Sequence, residues 1–142
     1  MGQIKGEKQL ANLLADWPEF QDELREAFVS LKDYAAKLPG VVMEFIARPG
    51  VSNSLRLDLE PRPAGRQRPL LAMIDAVPME GMMMLSVCFF ADEVDDPEER
   101  GDLIPGGLMG SDGYCFDHDG QEPDMTDYLK RRIKAAHAKA VA

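Results

Sequence analysis

At 142 residues the chain suits one domain, residues 1–142, and is long enough to bury a core without disulfide or metal staples. With 45% hydrophobic and 29% charged residues its composition is ordinary for a globular protein, and two cysteines are too few for a disulfide framework, so a reducing cytoplasm is the expected setting. A net charge of −9 repels phosphate backbones, which argues against nucleic acid, and no apolar stretch suits a signal peptide or a membrane span.

Glu7 to Ala15 carries Leu10, Leu13 and Leu14 at helical spacing and predicts a short helix. Asp16-Trp17-Pro18-Glu19 reads as the start signal of a second helix, with Asp16 as its cap. From there Phe20, Leu24, Phe28, Leu31, Ala35 and Leu38 fall on one stripe until Leu38-Pro39-Gly40 stops it. The period then switches to two. Val41 to Arg48 places Val41, Met43, Phe45 and Ala47 on one face. Ser54 to Glu60 points Leu55, Leu57 and Leu59 inward and leaves Ser54, Arg56, Asp58 and Glu60 on a face expected to be wet. Pro61 to Pro69 is a loop with three arginines and no acid, expected to form a local basic tip.

Leu70 to Val77 predicts a third strand, and Met82 to Ala91, the longest apolar run, a fourth and central one buried on both faces. The short link Pro78-Met79-Glu80-Gly81 suits a hairpin. Asp96-Pro97-Glu98-Glu99 is expected to open one helical turn, Leu103 to Gly110 to be an ordered glycine-rich loop, and Tyr114 to Asp117 a fifth strand. Met125 to about Ala140 is the last helix. Its inner stripe is Met125, Tyr128, Leu129, Ile133 (or Arg132) and Ala136, with His137 facing solvent. The expected fold class is α+β: N-terminal helices, an antiparallel meander of about five strands, and a C-terminal helix packed on the sheet.

Charge is uneven. Thirteen acids and one base, Arg100, lie between Asp92 and Asp127, so the remainder is net basic. Carboxylates near flexible glycines suit a hard cation, and Asp112, Asp117, Asp119 and Glu122, with Asp124 beside them, are the candidate ligands for calcium or magnesium. The EF-hand pattern is not met, and loop acids in water are the plainer reading. The soft ligands Cys88, Cys115, His118 and His137 lack zinc spacing, and Cys88 reads as a small core residue. Cys115 and His118 would point to opposite faces of a strand, which disfavours a thiolate pair. Gly106-Gly107-x-x-Gly110 lacks the lysine of a phosphate-binding loop. Met79, Met82, Met83 and Met84 offer an adaptable apolar surface wherever core packing leaves them uncovered.

Gly50-Val51-Ser52-Asn53-Ser54-Leu55-Arg56, the strand near Leu70 and the closing Tyr128-Leu129-Lys130-Arg131-Arg132 helix resemble small bacterial YdhG- and YjbR-like domains. The resemblance implies a cytoplasmic bacterial α+β domain and no activity, and the acidic stretch from Asp92 to Asp112 departs from it. The expected function is a non-catalytic interaction or accessory domain that self-associates or binds a protein partner, without a cofactor. The alternatives are a divalent-cation-binding module built on residues 92–127 and a small secretion-chaperone-like protein. The latter is disfavoured because Pro78–Gly81 leaves no room for a helix.

Overall fold

The computed structural model describes residues 4–142; Met1 to Gln3 of the amino-terminal stretch lie outside them. Helix α1 (Glu7–Ala15) forms where the leucines place it, with Leu10 buried. Asp16 does not start the next helix. It ends α1, its amide donating to the Asn12 carbonyl at 3.0 Å. Glu19–Gln21 form a 3-10 turn, and α2 (Asp22–Ala36) begins after it. A 3-10 turn holds three residues rather than 3.6, so the stripe is re-phased at its start. Leu24, Phe28, Leu31 and Ala35 are buried as expected, but Phe20 is 72% exposed and Gln21 turns inward. The Gln21 side-chain amide donates to the Met83 carbonyl at 2.9 Å and accepts from the Met83 amide at 2.6 Å. It thereby satisfies backbone groups that a neighbouring strand would otherwise pair.

Among the described residues seven strands form one sheet: β1 (Ile4–Lys5), β2 (Val41–Arg48), β3 (Ser52–Leu59), β4 (Ala72–Met79), β5 (Met82–Phe90), β6 (Asp102–Leu108) and β7 (Ser111–His118). Their order is β1-β2-β3-β4-β5-β7-β6. β1 runs parallel to β2, and the other neighbours are antiparallel. The α+β class therefore holds, with seven strands in place of about five. β1 is too short to carry a period. β6, expected as a loop, contains Pro105, Gly106 and Gly107 and pairs only with β7, and an edge strand tolerates those residues. The Asp96–Glu99 stretch is a turn, and the 3-10 helix lies earlier, at Ala91–Glu93.

β5 is an inner strand between β4 and β7. Burial on both faces is confined to its second half, Val87 to Phe90; Met84 and Ser86 are half-buried and Met82 is exposed. The link from β4 to β5 is the two-residue turn Glu80-Gly81, and β6 joins β7 through Met109-Gly110. All four residues have positive φ, which matches the right-handed twist of the strands they join.

The helices cover one face of the sheet. Leu55, Leu57, Ile74, Leu85, Val87, Phe89 and Phe116 pack there against Phe28, Leu31, Tyr128, Leu129 and Ile133. Each such side chain contributes about 1.5–3 kcal/mol of burial energy. In α3 (Met125–Val141) both Arg132 and Ile133 are buried. His137 does not face solvent: it is buried, with Nε2 2.8 Å from the Pro39 carbonyl, and so ties the end of α3 to the α2–β2 turn.

The other face is not the wet surface that the β3 alternation predicts. Ser54 is buried, and Arg56 and Asp58 are half-buried. Leu70, from the loop before β4, and Leu108, at the end of β6, pack on that face with Phe90 and Met73. Lys5 and Met109 come from opposite ends of the strand order yet line one cavity. The sheet therefore curls, and its helix-free face is concave. No helix among the described residues is long and apolar enough to cross a membrane.

Candidate functional site

The concave face holds a groove of about 560 Å³, within the range of small-ligand sites. Its floor is Val42 and Glu44 of β2 with Arg56 and Asp58 of β3. Pro69 and Leu70 form one wall, and Met109, at the tip of the β6–β7 hairpin, closes an end. Strand alternation puts these floor residues on one face, and sheet curl brings the hairpin over them. Arg62 reaches back to Asp58 at 2.9 Å. Arg56 forms no ion pair among the described residues, and its Nε is buried without a hydrogen-bond partner. One strand further, Asp75 Oδ1 is buried and equally unpartnered. Burial pushes the Asp75 carboxyl above its ordinary pKa, against the pull of Ser54, Arg56 and Arg48. Both unmet atoms are sealed from solvent; what lines the groove is the half-buried Arg56 side chain, without an ion pair among the described residues.

The basic tip expected at Pro61–Pro69 is internally paired. Arg66 is bidentate to Glu93 at 2.6 and 3.0 Å, and both side chains are largely buried. Arg68 pairs with Asp92 at 2.6 Å and lies 4.2 Å from the centre of the Phe90 ring. These pairs pin the loop beside the groove. The acidic segment meets arginines elsewhere too. Arg100 pairs with Glu98, Glu122 and Asp124, and Arg132 pairs with Asp95. Arg68 holds the Asp92 carboxyl below its ordinary pKa, and Arg100 does the same for Asp124.

Asp96 organises the rest of the segment. It accepts from the Tyr114 hydroxyl at 2.6 Å, from the Tyr128 hydroxyl, and from the amides of Arg100 at 2.9 Å and Gly101 at 2.8 Å. Burial opposes the charge, but the four donors prevail and hold the carboxyl at about 2, while Tyr114 is pushed up to about 12. Such an acid and such a phenol exchange no proton near neutrality, so this is a clamp rather than an acid–base pair.

The four candidate metal ligands occupy different places. Asp112 accepts from the Gly106 amide at 3.0 Å inside the β6–β7 hairpin. Asp117 lies on the concave face of β7 opposite Ser86. Asp119 accepts from the Gln121 amide at 2.9 Å, and Glu122 is 2.6 Å from Arg100. Among the described residues no three His, Cys, Asp or Glu side chains form a set able to hold a metal ion.

Cys88 is not an isolated core residue. It stands directly opposite Cys115, and the two form a disulfide across β5 and β7. His118 lies on the helix side, buried, with Nδ1 accepting from the Gly120 amide at 3.2 Å and Nε2 2.9 Å from Thr126 Oγ1. Burial pushes its pKa down. Cys115 and His118 therefore make no catalytic pair. Of the methionine cluster, Met83 is buried, while Met79 and Met82 are exposed near the β4–β5 turn.

No family model, curated protein or solved structure matches this chain. What the groove can hold follows from its own chemistry. Sequence reasoning missed it because its lining comes from β1, β2, β3, the 61–70 loop and the β6–β7 tip, which no local pattern joins. The one available signal was the half-polar face of β3, which mixes Ser54 and Arg56 with long leucines on the other side.

Proposed function

We propose that this domain is a non-catalytic interaction module whose concave face receives an extended segment of a protein partner. The observation that carries the reading is the Arg56 guanidinium, half-buried in the groove floor without an ion-pair partner. An extended peptide offers carbonyls to the Arg56 guanidinium, and its side chains suit the apolar contacts of Val42, Leu70 and Met109. Among the described residues the groove lining contains no Ser, Thr, Cys or His, so a hydroxyl or thiol nucleophile with an imidazole base is not supplied there. We keep with it the proposal of a cytoplasmic bacterial domain of the YdhG- and YjbR-like kind; the order of helices, mostly antiparallel strands and closing helix is compatible with it, although β7 lies between β5 and β6 and so breaks the expected meander.

The test is selection from a random peptide library, followed by calorimetry on the enriched sequences. Binding should weaken roughly tenfold or more in Arg56→Ala, the loss of a hydrogen bond to a charged group, and should be blocked in Met109→Asp. Peptides that bind wild type and both variants equally would sink the proposal. Light scattering on the free protein separates a different partner from a second copy: concentration-dependent dimerisation abolished by Met109→Asp would make the guest another molecule of this chain.

A further inference from the structure

We propose that Cys88 and Cys115 form a reversible thiol–disulfide site on the concave face, exchanging with a neutral dithiol through the Cys115 sulfur. The proposal stands on the cysteine pair and does not require the groove to hold a peptide. Leu85, Val87 and Phe89 occupy the helix side of β5, so Cys88 faces the concave side, and Cys115 faces it from β7. Their Cα atoms are 4.1 Å apart. β5 and β7 are paired from Leu85 opposite His118 to Phe90 opposite Gly113, so the ladder holds both cysteines in place with or without the bond. Making or breaking it asks for no change of register, which is what a reversible couple needs. In a reducing compartment disulfides of this kind are characteristically transient.

The surroundings give the exchange a direction. Cys88 is 8% exposed, whereas Cys115 is only half-buried. An incoming thiolate therefore attacks the Cys115 sulfur. A sulfur–sulfur bond forms to Cys115, the Cys88–Cys115 bond breaks, and the electron pair leaves on Cys88. Ser86 Oγ lies 3.5 Å from the Cys88 sulfur, placed to donate its hydroxyl proton in a hydrogen bond to the departing thiolate. The second thiol of the dithiol then attacks the mixed disulfide and releases Cys115. The reductant ends as its own disulfide, and the protein has gained two electrons and two protons; a disulfide oxidant runs the sequence backwards. Asp102 is the register partner of Cys115 on β6, and Asp117 is two residues along on the same face. Their charges disfavour an anionic thiol such as glutathione relative to a neutral one.

The experiment equilibrates native protein in mixtures of reduced and oxidised dithiothreitol, quenches by alkylation and counts free thiols by mass. The expected result is full, reversible interconversion between no free thiols and two, with the circular dichroism of the fold unchanged, and exchange with glutathione slower by roughly tenfold. Reduction that occurs only after denaturant is added, or thiols that never pair at any ratio, would overturn the proposal. Single variants test the direction. With Cys88→Ser the remaining Cys115 should form a mixed disulfide on the order of ten times faster than Cys88 does in Cys115→Ser. Equal rates would overturn the assignment of Cys115 as the attacked sulfur.

Discussion

On the helix side of the sheet, Phe116 of β7 is ringed by aromatics: Tyr114 at 5.4 Å, Phe89 at 5.9 Å and Tyr128 at 6.1 Å between ring centres. Its neighbours in sequence, Cys115 and Asp117, face the concave side beside Cys88 and Ser86. Two carboxylates sharpen the contrast. Asp96, near the first face, has every donor it needs; Asp75, on the second, has a buried oxygen with none. The helix side leaves Arg132 Nε unmet, on a guanidinium that already pairs with Asp95, whereas the concave side leaves Arg56 and Asp75 with no ion pair among the described residues. The difference teaches where folding satisfies its charged groups and where it leaves them for the proposed partner.

The largest expected effect is on the helix side. Phe116→Ala should cost about 4 kcal/mol in urea or thermal unfolding; a loss below about 1 kcal/mol would mean the aromatic cluster packs no better than the open side. Asp96→Ala comes next, at about 3 kcal/mol for a charged acceptor with several donors. The wild-type pH profile should show the same clamp. The folded pKa of Asp96 is lowered from 3.8 to about 2, so its contribution is present above pH 3.8 and lost as pH falls towards 2. Asp96→Asn should flatten that limb of the curve.

Asp75 carries the opposite sign. Its folded pKa is raised, so its contribution to stability is greatest below the unfolded value and is lost as pH rises through the folded one. Asp75→Asn should therefore be neutral or stabilising by up to about 1 kcal/mol near pH 7. A loss larger than that would show the carboxylate to be satisfied after all. Arg56→Ala should change stability by less than about 0.5 kcal/mol while weakening the proposed peptide binding roughly tenfold or more, which would separate the two faces most directly. The smallest effect expected is with metal. Calcium, magnesium, manganese, iron(II) or zinc added to stripped protein should move the melting temperature by less than about 1 °C at moderate salt. A salt-resistant shift with one ion would return Asp112, Asp117, Asp119 and Glu122 to attention.

Much of the fold was legible in the sequence. The leucine spacing of α1, the inward Leu55, Leu57 and Leu59, and the stripe of α3 read correctly because each is a local period that the core enforces. Phe20 was misread because a 3-10 turn shifted the phase, and β6 because an edge strand tolerates the residues that normally argue against a strand. The candidate site was barely legible. Partners such as Arg66 and Glu93, or Arg100 and Asp124, are more than twenty residues apart, so the acidic segment looked free although six of its thirteen acids are ion-paired. Cys88 and Cys115 are 27 apart, and only the register of β5 against β7 makes them neighbours.

The sheet stops abruptly at both ends. One edge is the two residues of β1, and the other is β6, where Pro105 has no amide to offer and the ladder is irregular between Ile104 and Leu108. Among the described residues, strand addition from molecule to molecule would meet a short template at β1 and an interrupted one at β6. If the curled face takes a guest as proposed, edges of this kind favour a complex that closes at a fixed ratio of host to guest over one that grows into a filament.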